Sequence, residues 1–455
     1  MIDLSQKNPL PAPQSVSFWA AFRFWLKLGF VSFGGPAGQI AIMHQELVEN
    51  KRWISERRFL HALNYCMVLP GPEAQQLAIY IGWLLHRGLG GVVAGVLFVL
   101  PSLLILIALS WIYLAFGHLA VVAGVFYGVK PAVTAIVFQA THRIGSRTLH
   151  NRTLWGVAIT AFLALFVGDV PFPAIILAAA LFGYLGGKQW PSRFATGGGH
   201  DASKKNFGPA LIDDHTPPPE HARLSWVHSA KIGAVGLAFW LMPMGLLVSG
   251  FGWQGIYTQM GLFFSKAALL TFGGAYAVLP YVVQGAVEHY GWLSAGQMID
   301  GLALGETTPG PLIMVVAFVG FVGGYLNEVL GQGAPFLSGV VGALIVTWFT
   351  FLPSFVFILL GGPIVEATHG NVKFTAPLTA ISAAVVGVIL NLAFFLGYHT
   401  LWANGFGGGI LGGMDIMAAL IAFAAFVALL KYKANVLVVI GASALTGLLL
   451  KLLVG

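Results

Sequence analysis

Residues 24–72 recur at 263–311 without a gap, at a constant offset of 239 (266 − 27, Lys27 on Lys266). Phe33-Gly34-Gly35 falls on Phe272-Gly273-Gly274, and Pro70-Gly71-Pro72 on Pro309-Gly310-Pro311. Gln45, Val48, Glu49, Trp53 and Ser55 fall on Gln284, Val287, Glu288, Trp292 and Ser294. With Phe24/Phe263 and Leu63/Leu302 the identities number fourteen, concentrated in Gly, Pro, Trp and charged positions rather than in interchangeable aliphatics. A second block, Leu100-Pro101-Ser102 on Leu352-Pro353-Ser354, aligns at an offset of 252 (352 − 100), so the second half carries a short insertion. The chain is a tandem duplication. Whatever one half builds the other builds again, and internal duplication in an apolar chain is the usual construction of a secondary transporter.

Composition sets the solvent. The chain is 57% hydrophobic and 9% charged, against roughly 25% charged in soluble domains. Apolar runs at Gly90–Phe116, Leu119–Gln139, Leu154–Val167, Ile175–Leu185 and Met417–Leu430 dominate, several of them long enough to cross ~30 Å of hydrocarbon. The expectation is an all-α polytopic membrane protein, and the lack of alternating strands excludes a β-barrel. Met1–Ser17 is polar and lacks a cleavable signal pattern, so the first membrane helix is expected to act as the targeting signal. The single cysteine, Cys66, rules out an intrachain disulfide and a cysteine-based metal site.

Charge placement predicts the topology. First-half connectors are basic, at Lys51-Arg52, Arg57-Arg58, Arg87, and Arg143, Arg147 and Arg152. Their second-half mates, His289–Ser294, Asn327–Gln332 and Tyr398–Met414, have no Lys or Arg. Second-half basic residues fall instead at Lys373 and Lys431/Lys433, opposite the uncharged Gly117-His118 and the Gly168-Asp169 pair. By the positive-inside rule the halves are expected in opposite orientations, an inverted-topology repeat. The domain reading is a cytoplasmic tail (1–17), a first repeat (18–187), a polar, Pro/Gly-rich cytoplasmic linker (188–228), an extra linking helix (229–250) and a second, inverted repeat (257–455). The net charge of +7 then reflects topology rather than nucleic-acid binding.

Two Gly/Pro breaks interrupt each half: Ser32-Phe33-Gly34-Gly35-Pro36, answered by Thr271-Phe272-Gly273-Gly274-Ala275, and Leu69-Pro70-Gly71-Pro72, answered by Thr308-Pro309-Gly310-Pro311. The arms on either side are too short for two full crossings, which predicts broken helices or re-entrant hairpins. Non-helical backbone at membrane depth survives only inside protein or against a cavity. A half-helix starting at Pro36 or Pro72 would aim free amides and its positive dipole end there, which suits an anion. Packing kinks are the plainer alternative; breaks at matched positions of a duplicated chain favour a transport site.

Ionisable residues within apolar segments are costly unless paired or wetted. Lys27 and Lys266, about two turns before the Gly-Gly breaks, either hold positive charge near the site or reach an interface. Glu73, followed by Gln75 and Gln76, has Leu312 as its repeat-mate; Glu306 has Met67. These two carboxylates are candidate proton carriers, with a helix-start role the alternative for Glu73. Ser32, Asn64, Thr271, Thr307 and Thr308 supply neutral hydrogen-bonding groups. Lys130, whose mate is Ser382, is unmatched. The thirteen histidines show no metal spacing, there is no Walker A sequence, and no Ser/His/Asp ordering appears, so neither a cofactor, an ATP motor nor an enzyme is expected.

FGGPAGQIA (33–41), LVENKRWISERRF (47–59) and VLPGPEAQQLAIYIG (68–82), with TFGGAYAVLPY (271–281) and YGWLSAGQMIDGLALGETTPGP (290–311), resemble the chromate ion transporter family in its long, two-domain form. The resemblance implies efflux of chromate across the cytoplasmic (inner) membrane, driven by the membrane potential or a proton gradient, with sulfate as a related oxyanion. By matching position the family's motif residues here are Phe33, Gly34, Gly35, Pro36, Trp53, Pro70, Gly71, Pro72, Glu73 and Gln76 in the first half. In the second they are Phe272, Gly273, Gly274, Trp292, Pro309, Gly310 and Pro311. Ala275 and Leu312 depart from the pattern, so the halves are not expected to be equivalent. Expected partners are chromate or sulfate, protons and the bilayer, with a homodimer one assembly open to such a chain. A passive anion channel is the rival reading.

Overall fold

The computed structural model describes residues 15–33, 35–194, 207–214, 216–217, 219–223, 225–367, 375–402, 405 and 413–454. Gly34, Lys373, tail residues 1–14 and linker residues 195–206 lie outside the described residues. The helices in chain order are α1 (Phe18–Val31), α2 (Gly35–His44), α3 (Glu56–Cys66), α4 (Glu73–Phe116), α5 (Ala120–Thr148), α6 (Arg152–Phe166), α7 (Phe172–Gln189), α8 (Pro191–Phe194), α9 (Trp226–Phe251), α10 (Ile256–Leu270), α11 (Ala275–Val283), α12 (Ala295–Thr307), α13 (Val315–Leu326), α14 (Pro335–Ala367), α15 (Thr375–Leu401), α16 (Ile416–Leu430) and α17 (Val436–Val454). The described residues contain no strand, only an isolated bridge from Ile54 to Ile212. Among the described residues, seven helices are long and apolar enough to span a bilayer. Large apolar side chains stand exposed along them, as Leu104, Leu246 and Leu181 do, which suits lipid contact and not water. The chain is an all-α polytopic membrane protein.

The sequence identities have local causes. Ser55 and Ser294 cap α3 and α12 by accepting from the amides of Arg58 and Gln297, satisfying a donor that a helix start leaves open. Trp53 packs on Phe24 and Trp292 on Phe263, with ring centroids 5.1 and 5.7 Å apart. Gln45, Val48 and Glu49 lie in a π-helical turn that extends α2, and their mates lie in the turn that extends α11. Trp53 and Trp292 end these turns by donating their amides to Leu47 and Ala286, themselves repeat-mates.

Packing between the halves is reciprocal. α5 lies against α16 and α17, and α15 lies against α6 and α7. α1 packs on α4 as α10 packs on α14, and α4 meets α14. Gly447 leaves no room for a β-carbon against Gly124 and Gly128; Gly183 meets Ala376 and Ala380 in the same way. Those four partners are mates at the offset of 252. α9 buries only Gly236, Met244 and Leu247 and runs along the outside of α10 and α14. The described part of the linker folds onto the start of α3: Leu211 and Ile212 donate amides to Arg52 and Trp53, and Ser55 donates its hydroxyl to Asp214 at 2.6 Å.

Of the basic positions read from the sequence as connectors, Arg87 falls at a break between helix arms, whereas Arg57 and Arg58 lie inside α3 and Arg143 and Arg147 inside α5. Arg87 shares with His86 a non-helical backbone that divides α4 into two arms. Arg143 stands half-buried within α5; the α5 pattern continues beyond the apolar run, so composition alone placed its end too early.

Candidate functional site

All four breaks interrupt helices, between α1 and α2, α3 and α4, α10 and α11, and α12 and α13. Their glycines need backbone that other residues avoid: φ is +129° at Gly71, +109° at Gly310 and +95° at Gly274. The breaks then meet across the halves. The Gly71 amide donates to the Thr271 carbonyl at 2.8 Å, and the Gly310 amide donates to the Ser32 carbonyl at 2.7 Å. Donors and acceptors are repeat-mates, so each Pro-Gly-Pro element closes on the Gly-Gly element of the other half. The second repeated block completes the crossing. A β-carbon on Gly71 would stand 2.5 Å from Ser354 Oγ, and one on Gly310 would stand 2.6 Å from Ser102 Cβ.

The candidates distribute unevenly around this crossing. Ser32, Gly71, Pro72, Gln76, Thr271, Gly274, Thr308, Pro309, Gly310 and Pro311 are buried in it; Gly35, Pro36, Pro70 and Thr307 are half-buried, and Gly273 is exposed. Asn64, Lys27 and Lys266 point outward from α3, α1 and α10. The Gly71 amide is engaged with Thr271 and is not free to meet an anion. The hydroxyls are engaged too. Ser32 and Thr271 donate to Leu28 and Ala267 carbonyls at 2.6 and 2.7 Å, Thr307 to Leu304 at 3.0 Å, and Thr308 to Leu304. These bonds engage carbonyls in the last turn of each helix, with Leu304 also accepting from the Thr308 amide at 3.1 Å.

Both acidic candidates gather at the second half's Gly-Gly break. Glu73, at the first position of α4, places Oε1 3.9 Å from where a β-carbon on Gly274 would stand. Glu306 accepts from the Tyr276 hydroxyl at 2.6 Å. Arg143 of α5 is close enough to act electrostatically on both Tyr276 and Glu306. The first half's break has no counterpart to this cluster: the mates of Glu73, Glu306 and Tyr276 are Leu312, Met67 and Ala37. There Gln39, fully buried, donates to the carbonyls of Gly310 and, at 3.4 Å, Ser32.

Other site residues went unread in the sequence. Asp300, buried on α12, pairs with Lys130 of α5 at 3.2 Å and accepts from the Tyr113 hydroxyl at 2.8 Å. The signal for Asp300, Gln39 and Tyr276 lay in the repeat itself, a polar residue opposite a different mate (His61, Val278, Ala37). Ser354 Oγ, Gln76 Oε1 and both amide atoms of Gln75 are buried without a hydrogen-bond partner, which marks the crossing as a place for polar occupants.

The model of the chromate transporter family matches residues 19–184 and 258–448, one segment per half. The chain belongs to the chromate transporter family. It is 35% identical over 438 residues to a chromate transport protein of Pseudomonas aeruginosa, covering 96% of this chain and 93% of that one. A chromate transport protein of Cupriavidus metallidurans is 29% identical, covering 90% and 87%, and a probable chromate transport protein of Synechococcus elongatus is 28% identical, covering 83% and 84%. No solved structure matches. Family and fold together make this a multi-pass membrane transport protein.

Proposed function

We propose that the chain is a secondary transporter that exports chromate across the cytoplasmic membrane, with the four-break crossing as its transport site. The observation that carries this reading is the pair of reciprocal bonds, Gly71 to Thr271 and Gly310 to Ser32. Four interrupted helices meeting at one point are costly in lipid and are tolerated where they line a substrate path. The same pairing of mates, with the exchange of α5 and α15 partners, supports two halves of opposite orientation around that point.

In this reading a divalent tetrahedral oxyanion approaches the crossing at the N-terminal ends of α2, α4 and α11, whose dipoles favour negative charge. The site comprises Ser32, Gly34, Gly35, Pro36, Pro70, Gly71, Pro72 and Gln76 from the first half. From the second it comprises Thr271, Gly273, Gly274, Thr307, Thr308, Pro309, Gly310 and Pro311. Arg143 is the cation placed by the fold beside the second half's break. Glu73 and Glu306 carry the coupling proton. An ionised carboxylate at the crossing repels a dianion, so the proton occupancy of Glu73 and Glu306 and the anion occupancy of the site are linked, and protons moving inward through these carboxylates couple to chromate moving outward.

The test is chromate content and sulfate uptake in chromate-sensitive cells with and without the protein. Lower chromate content with unchanged sulfate uptake supports chromate export. A change in sulfate uptake alone reassigns the substrate.

A further inference from the structure

Glu366, near the end of α14, accepts a hydrogen bond from the Tyr80 hydroxyl of α4 and faces Arg58 of α3, with Arg58 Nη1 3.7 Å from Glu366 Oε2. All three are buried, at 6%, 1% and 7% exposure. Arg58 Nη2 donates to the Thr216 carbonyl of the linker at 2.6 Å, so the cluster reaches the basic face of the first half, where the linker lies. It also runs inward. Glu73, Gln76 and Tyr80 occupy positions i, i+3 and i+7 of α4, one helix face. Seven residues advance about 10 Å along that face, from the crossing towards Glu366.

We propose that Tyr80, Glu366 and Arg58 form the cytoplasm-side end of a proton path that begins at Glu73; the inference rests on Glu73 as a coupling carboxylate. Its atoms are incompletely satisfied in the way a hydrated path requires. Arg58 Nε and Nη1, Glu366 Oε2, Gln76 Oε1 and both amide atoms of Gln75 are buried without hydrogen-bond partners. Dry burial of so many polar atoms costs more than a membrane fold tolerates, and water with two to four such partners is the usual remedy. The repeat supplies the independent argument. The mates of Glu73, Gln76, Tyr80 and Glu366 are Leu312, Val315, Val319 and Leu114, and Gln297 replaces Arg58. A purely structural cluster would serve either half; this one is present only where Glu73 is.

The proton balance closes without other reactants. A proton leaving the Glu73 carboxyl passes along water held at Gln76 to the Tyr80 oxygen, while the Tyr80 hydroxyl proton moves to the Glu366 carboxylate. Tyr80 is unchanged overall. Glu366 then gives the proton to the cytoplasm and is left ionised opposite Arg58.

The test compares two modes in inside-out vesicles: chromate accumulation driven by a proton gradient, and chromate exchange at equal pH on both sides, which moves no net proton. Glu366→Gln and Tyr80→Phe are expected to lower accumulation at least tenfold while exchange stays within twofold, and Glu366→Asp to restore accumulation. Unchanged accumulation in both variants overturns the path. Equal loss of accumulation and exchange in both variants makes the cluster structural and overturns it as well. Absence of either flux in the unaltered protein overturns instead the chromate reading on which the path rests.

Discussion

The Gly310 amide donates to the Ser32 carbonyl at 2.7 Å, joining the Pro-Gly-Pro break of the second half to the Gly-Gly break of the first. Its mate, Gly71 to Thr271, makes the converse connection. Each bond satisfies a donor and an acceptor that a broken helix leaves exposed in a medium without water, so neither half can complete its own breaks alone. The duplication is thereby a structural requirement at the point where a substrate would pass.

Gly310→Ala should disable the protein. At φ +109° a β-carbon is strained, by an amount comparable to the ~1–2 kcal/mol of left-handed backbone, and it would also press on Ser102 Cβ at 2.6 Å. Chromate flux at matched expression is expected to fall at least tenfold. Gly252→Ala, at φ +73° but with open space around it, should leave flux within twofold. Equal tolerance of both changes would remove the crossing from the account.

Gln39→Leu should destabilise without touching any other break. It strips a side-chain donor from the Gly310 and Ser32 carbonyls, and an abandoned buried polar group costs about 1–3 kcal/mol. Thermal unfolding of the purified protein should shift down by several degrees; an unmoved midpoint contradicts the role.

Lys130 and Asp300 should behave as one unit. Removing Lys130 leaves the buried Asp300 carboxylate without its cation, at about 3–5 kcal/mol, whereas Lys130 is partly exposed and loses less when Asp300 is removed. The double variant Lys130→Met/Asp300→Leu should therefore be more stable than Lys130→Met alone. Additive losses in a double-mutant cycle would show that the 3.2 Å pair contributes no coupling.

Much of this architecture was legible in the sequence because the repeat marks its own joints. Gly71, Gly310, Ser55 and Trp53 each do a job tied to one backbone geometry, so they persist in both copies. What stayed hidden are residues whose role depends on a distant partner. Asp300 is meaningful only beside Lys130, and Glu366 only beside Arg58 and Tyr80; nothing in their local sequence announces the partner. Lys27 and Lys266 show the opposite limit, since identity in both copies does not reveal which way a side chain points. Arg143 was misplaced because a polar helix end resembles a connector.

Docking of the linker should depend on pH. His221 contacts the Trp83 carbonyl at 2.9 Å and packs edge-on against that indole. Burial lowers its pKa, and Arg87 and His228 repel its charged form, while the carbonyl contact works the other way. A histidine lowered on docking contributes stability above its free pKa and loses it as pH falls through that range to the docked value. Linker residues near 221 should be cleaved faster by an acid-active protease at mildly acidic pH, and His221→Gln should abolish the dependence. A pH-independent cleavage rate in the unaltered protein would contradict it.

The central claim, proton-coupled passage of chromate through the crossing, is tested most directly by chromate flux into inside-out vesicles with and without an imposed proton gradient, for the unaltered protein and for Glu73→Gln. The account predicts gradient-dependent accumulation that sulfate blocks only partly, and its loss in Glu73→Gln. Accumulation that ignores the gradient, or a Glu73→Gln variant that accumulates chromate as well as the parent, would contradict it.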